Sequence, residues 1–465
     1  MKKVFVFCVG GTGIRVMKSI TMLMASGMST NGYTVVPIII DPHLDLEERG
    51  NLVNLIKNYE AIYKESINNG ASTLNPLEGF FNSEMLTIGE INNQKNDTHQ
   101  SIGTNEKFRS YINFSNLGDK DINNFFVETL FSSKNLENSL SVGFKGNPNV
   151  GTVVLGDRLE EDNDFKTFKA RCEQGDRVFI ISSIFGGTGA AGFPLIEKKI
   201  RHESQQQAVK TAVMGAVTVL PYYSLKDPSI SNSDIDSANF FSKTKAALVY
   251  YDKNIKSDFL YYIGEKTLHE VYENDEQKQE DAANFIELMA ASALFDFLKR
   301  EKPEHQQFLT RAVEDDKESM SLKFLGDGYT EIVKCVADYM ILREMINVIP
   351  DDRYFPLIKN RGLDKSFYKD LAFQNLQKFT EAYFKWYHDL ATHKRAFAPL
   401  HYENKKQMSG WIKDIELSAK NETYYLLEMI KASNKYNKKD HSNKFRFFLQ
   451  FAYDAINNFT KKLED

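Results

Sequence analysis

Arg177-Val178-Phe179-Ile180-Ile181-Ser182-Ser183-Ile184-Phe185-Gly186-Gly187-Thr188-Gly189-Ala190-Ala191-Gly192-Phe193-Pro194 is an apolar run of strand length that feeds into a glycine-rich turn. Leu195 to Ile200 then carries apolar residues at helical spacing and reads as the start of a helix. Strand, glycine turn and helix together make an anion cradle. Consecutive glycines let backbone N–H groups point at one locus, and the helix N-terminus adds partial positive charge. A tight βα turn without a ligand accounts for Gly-Gly-x-Gly equally well, so the rest of the chain must separate the two readings.

Val4 to Val9 is a second continuous apolar run, as expected of a central parallel strand. It opens into Gly10-Gly11-Thr12-Gly13, with a helix expected from Ile14 to about Ser26. As a dinucleotide fingerprint this turn fails, because Val16 stands where a small residue is needed. Thr34 to Ile40 is the next strand and ends in Asp41-Pro42-His43-Leu44-Asp45. A carboxylate at that point suits a ribose or a metal-bound water, and Asp before Pro also suits a helix cap.

The signature turn resembles the Gly-Gly-Gly-Thr-Gly-Ser/Thr-Gly loop of the tubulin/FtsZ family, with Phe185 for the first glycine and Ala190 for the Ser/Thr. Gly143-Phe144-Lys145-Gly146-Asn147-Pro148-Asn149-Val150-Gly151 resembles the Asn-Pro-x-Val-Gly loop of FtsZ. Asp41 to Asp45 resembles the second nucleotide loop. Phe259 to Gly264 reads as a strand followed by Glu265, where the family carries a base-contacting Asn. A carboxylate suits guanine, since it accepts from N1–H and N2–H. Asp281 to Leu298, apolar nearly all round, resembles the buried core helix of the family, with Asn284 placed to reach the base.

The resemblance covers about residues 1–300, interrupted by a polar insertion at about 46–140. It implies a three-layer Rossmann-like α/β nucleotide-binding domain with a long central helix. It further implies GTP or GDP as ligand, with Mg2+ expected beside Asp41. The phosphate-binding residues implied are Gly10, Gly11, Thr12, Gly13, Gly146, Asn147, Gly186, Gly187, Thr188, Gly189 and Ala190. Asp41 and Asp45 are implied for the second loop, and Glu265 and Asn284 for the base. The family's acidic hydrolysis motif is missing between Lys299 and Gly328, where Glu314-Asp315-Asp316 reads as a solvated loop, so no catalytic residue is assigned. Residues 301–465 are expected to be mostly helical, over 330–346, 367–390, 408–432 and 443–463, with aromatics at helical spacing such as Phe373, Phe379 and Tyr383. These helices offer a surface to a partner protein.

The chain has 465 residues, 58 basic against 63 acidic, a balance that gives no reason to propose nucleic acid. Cys8, Cys172 and Cys335 are too far apart for a disulfide framework or zinc motif and fit a reducing cytoplasm. No apolar run approaches the length of a membrane span. Gly-x-x-x-x-Gly-Lys-Ser/Thr is absent, which excludes a P-loop enzyme. Three functions follow: a GTP-binding protein that self-associates, a nucleotide-gated sensor that does not, and a Rossmann-type oxidoreductase, which Val16 opposes.

Overall fold

The computed structural model describes residues 2–43, 47–67, 78–92, 102–118, 121–225, 240–265, 270–272, 282–313, 329–348, 363–392, 397–399, 431–432 and 443–460. Asp45, Glu314 to Asp316 and most of the expected helix 408–432 lie outside these residues.

Six parallel strands form the sheet among the described residues: β1 (Lys3–Val9), β2 (Thr34–Ile40), β3 (Arg177–Ser183), β4 (Val213–Val219), β5 (Phe259–Glu265) and β6 (Gln307–Val313). Their spatial order is β2-β1-β3-β4-β5-β6. Val4 to Val9 and Val178 to Ile181 are fully buried, which is why both runs are apolar without alternation. β2 lies at the edge, where Pro37 is tolerated for lack of an N–H. A bridge from Val35 to Met85 covers part of that edge. β6 was not anticipated from the sequence. It is an edge strand with Phe308 half exposed, so its side chains do not announce a buried segment.

The main helices are α1 (Gly10–Ala25), α2 (Glu47–Ile67), α3 (Pro148–Arg158), α4 (Gly187–Lys198), α5 (Phe240–Asn254), α6 (Phe285–Lys299), α7 (Tyr329–Val348), α8 (Leu371–Thr392) and α9 (Lys444–Thr460). Right-handed crossovers send the chain from β1 to β2 in one direction and from β3 to β4 in the other, so α1 and α4 cover opposite faces. α6 packs beside α1 across β4 and β5. Gly215 lets it approach: a Cβ there would lie 2.7 Å from Phe297. Arg177 holds the far end of α6, donating to the carbonyls of Phe297 and Arg300 at 2.7 Å each.

Two helix starts differ from the sequence reading. α1 begins at Gly10 rather than Ile14, and α4 at Gly187 rather than Leu195. Each glycine in a helix costs up to about 1 kcal/mol against Ala, so propensity argues for a later start. Close packing overrides it: a Cβ on Gly13 would lie 2.6 Å from the Cys8 carbonyl carbon, and one on Gly192 2.6 Å from Val9. α6 begins one residue after Asn284, which is its N-cap rather than a residue inside it.

The helices after residue 329 pack onto α1 and α2. The Trp386 indole donates to Ser19 Oγ at 3.1 Å, and Phe379 packs against Tyr59 and Phe81. Tyr339 and Tyr383 stack with ring centroids 4.0 Å apart. The expected aromatic spacing is thus a core that α8 shares with the first helices of the chain.

Candidate functional site at the paired glycine turns

β1 and β3 are neighbours, and the chain leaves them toward opposite sides of the sheet. Their carboxyl ends therefore form a topological switch point, the place where open parallel sheets hold ligands. Both glycine turns begin there. A Cβ on Gly10 (φ +72°) would lie 3.2 Å from the Thr188 Cβ and 3.4 Å from the Gly189 nitrogen. The first turn and the signature turn therefore touch.

The third loop meets the second in the same way. A Cβ on Gly187 would lie 3.0 Å from the Gly146 nitrogen and 3.2 Å from that of Asn147. Lys145 and Gly146 both have positive φ, which turns the chain sharply before Pro148 opens α3. Asn147 bridges the bend: its Nδ2 donates to the Lys145 carbonyl at 3.1 Å, and its Oδ1 accepts from Asn135 at 3.2 Å. From α5, Lys243 Nζ donates to the Gly146 carbonyl at 2.9 Å and brings a cation to the loop.

Three helix N-termini, those of α1, α3 and α4, are thereby drawn together. None has a side-chain cap, and none carries an acidic residue in its first turn. A helix start leaves backbone N–H groups without an intrahelical partner and carries partial positive charge. Such ends favour a shared anion, and with no Cβ on Gly10 or Gly187 the loops close on one another. Beneath the signature turn, Ser183 Oγ would lie 2.8 Å from a Gly186 Cβ and 2.9 Å from a Gly189 Cβ. Phe185 points into the core and packs on Tyr223 and Phe240 at 5.4 and 4.9 Å.

Asp41 follows β2, one strand from β1, and is buried. Burial pushes its carboxyl up to about 6; the His43 N–H, at 2.8 Å, and the charges of Arg49 and Arg15 pull the other way. Glu265 closes β5 on the same edge of the sheet, two strands from β3, a separation of about 10 Å. Asn284 Oδ1 accepts from the Ile286 N–H at 2.8 Å, and Glu287 accepts from the Asn284 N–H, which completes a capping box.

Sequence reasoning missed the cluster that joins these parts. Arg15, one helical step beyond the first glycine turn, is buried. Its Nε donates to Glu287 Oε1 at 2.7 Å, and its Nη1 pairs with Glu48 at 3.3 Å. Its Nη2 reaches Tyr222 at 3.1 Å and Thr12 at 3.5 Å. Tyr222 donates in turn to Glu287 at 2.7 Å. Burial works against the guanidinium charge, but Tyr222, Glu48 and Glu287 outweigh it and hold Arg15 firmly protonated. An Arg in the first turn of an apolar helix, and Asn-x-x-Glu ahead of an apolar run, were the available signals.

Among the described residues there is no group of His, Cys, Asp and Glu spaced to hold a metal ion by itself. No helix among them is long and apolar enough to cross a membrane.

No family model matches the chain, and no curated protein matches it. Among solved structures it is similar to CetZ from Methanosaeta thermophila, at 14% identity and a TM-score of 0.32, over 71% of this chain and 59% of that one.

Proposed function

We propose that this chain is a tubulin/FtsZ-like guanine-nucleotide-binding protein that self-associates with GTP and hydrolyses it slowly, or only with a partner's help. The observation that carries this reading is the meeting of the α1, α3 and α4 N-termini, all without side-chain caps, at the ends of β1 and β3. That arrangement suits a chain of phosphates. The N–H groups of Gly11 to Gly13 and of Gly186 to Ala190 hold the phosphates in this reading, with Thr12 and Thr188 adding hydroxyls. Asp41 is the carboxylate available to Mg2+ or its waters, a hard oxygen donor of the right kind. Glu265 and Asn284 are the base contacts that the family resemblance assigns, and Asp45 belongs to the second loop on the same ground.

Residues 1–313, with the insertion at about 46–140, form the nucleotide-binding unit in this reading, because β6 adds to its sheet beyond the boundary expected at 300, and the helical region follows. α6 takes the part of the family's core helix. Assembly joins the nucleotide face of one copy to a different face of the next, a heterologous contact that propagates unless it closes. That second face differs from the family's because the C-terminal region is helical, and it also serves as the surface for any partner protein.

Calorimetry with GTP, GDP, ATP and NAD on the parent chain and on Gly187→Val tests the site. Saturable GTP binding that falls at least tenfold in the variant is the expected result, with circular dichroism showing both chains folded. Equal affinity in the two overturns the site, and a preference for ATP or NAD overturns the family reading. Light scattering and electron microscopy with GTP and with GDP test assembly. A chain that stays monomeric with both is a sensor rather than a filament protein.

A further inference from the structure

We propose that the cavity between α1, α2 and α8 is a second binding site, for a small amphipathic anion: an apolar body that carries one carboxylate or sulfonate. The cavity has a volume of about 340 Å³ and contains none of the glycine-turn residues in its wall. That volume lies at the small end of the range for organic ligands, ~300–1,000 Å³. Its floor is apolar, built by Ile14 and Met22 of α1 and Leu52 and Leu55 of α2, all buried. The rim is polar. Lys18, Asn51 and Asn54 line it, and among the described residues none of the three has a side-chain hydrogen bond or ion pair. Lys385 of α8 adds a second ammonium on the opposite wall. Glu48 also lines the cavity, but it is turned to Arg15 at 3.3 Å, so its charge is already answered within the protein.

An apolar floor under Lys18 and two open carboxamides selects for a ligand with one anionic end. An uncharged body of the same size leaves Lys18 unanswered, and a fully polar anion gains nothing from the floor. Because α8 supplies one wall, an occupant also holds the C-terminal helices against α1. The site is independent of the nucleotide reading, since its wall and its test involve no glycine turn.

The test uses 8-anilinonaphthalene-1-sulfonate, a fluorescent apolar anion, with N-phenyl-1-naphthylamine as the same body without the sulfonate, on the full chain. Saturable binding of the sulfonate at one site is expected. Leu55→Trp, which fills the floor, reduces the affinity for both probes at least fivefold. Lys18→Glu reduces it at least fivefold for the sulfonate and less than twofold for the neutral amine. Lys18 is partly exposed, so that variant keeps its fold even if Leu55→Trp does not. Sulfonate affinity unchanged within twofold in Lys18→Glu overturns the proposal, and so does binding that never saturates. Binding unaffected by both substitutions places the probe elsewhere, for example on the exposed Phe125 and Phe126, and equally overturns it.

Discussion

Arg15 Nε donates to Glu287 Oε1 at 2.7 Å, which ties the helix behind the first glycine turn to the cap of the buried helix α6. The pair spans 272 positions of sequence and is shut away from water on both sides. Through Tyr222 and Glu48 the same guanidinium gathers β1–α1, the start of α2 and the segment after β4 around one charge. The first glycine turn and the α6 cap are therefore joined through one buried ion pair.

Removing the guanidinium leaves two buried carboxylates uncompensated. Arg15→Met is expected to cost ~3–5 kcal/mol of stability, read from urea denaturation at neutral pH. Glu287→Gln keeps one oxygen to accept from the Asn284 N–H and removes both the charge and the acceptor that face Arg15. In that background Arg15→Met is expected to cost at least about 1 kcal/mol less, the signature of direct coupling. Additive effects from the two substitutions rule out the pairing.

The signature turn leaves no room at Gly189. A Cβ there would meet the Ser183 nitrogen and carbonyl oxygen at 2.7 Å each, and both belong to backbone. Gly189→Ala is expected to destabilise the chain by ~1–3 kcal/mol, measured by thermal unfolding. Gly50→Ala, where a Cβ meets nothing within 4 Å, is the matched control and is expected to hold or raise the melting temperature.

Asp41 sets a pH dependence with a definite sign. Its folded pKa of about 6 lies above the unfolded value of 3.8, so the folded chain holds the proton more tightly between those limits. Stability from this group is fully present below about pH 4 and is lost as pH rises through 6, a change of roughly 3 kcal/mol. Asp41→Asn is therefore expected to stabilise the chain at pH 7.5 and to do little at pH 4, in paired denaturant titrations. A loss of stability at pH 7.5 contradicts the burial argument. If Mg2+ uses this carboxylate, metal-dependent nucleotide binding weakens in the same variant and falls off below pH 6 in the parent.

The C-terminal helices share their core with α1 and α2. Trp386 is fully buried and donates to Ser19. Trp386→Ala is expected to cost ~3–5 kcal/mol. Deleting 330–465 strips Tyr59 and Phe81 of Phe379 and exposes α1, and the truncated chain is expected to be insoluble or to bind an apolar dye as a compact chain with an exposed core does. A truncated chain that stays folded, with a sharp thermal transition, refutes this and makes nucleotide binding without the helices directly measurable.

The glycine turns, the Asn-Pro-x-Val-Gly loop and the parallel core strands were legible because each is a local statement. A continuous apolar run can serve only as a buried strand or helix segment, and glycine next to it marks close approach. The start points of α1 and α4 were not legible, because local propensity opposes glycine in a helix and only the neighbouring strands supply the compensation. β6 escaped notice because each residue pairs with one 48 positions earlier in β5, as Gln307 does with Phe259, and its exposed side chains weaken the pattern.

The sequence by itself determined the order of the loops along the chain, the apolar strands and the residue types able to cradle an anion, all properties read within a dozen neighbouring residues. Only the tertiary structure decided that Gly10 meets Thr188 and Gly187 meets Gly146, that Arg15 finds Glu287, and that the C-terminal helices close over α1. Contacts of that kind depend on how strands and helices pack in space, and neither charge nor apolarity at one position states which distant partner will answer it.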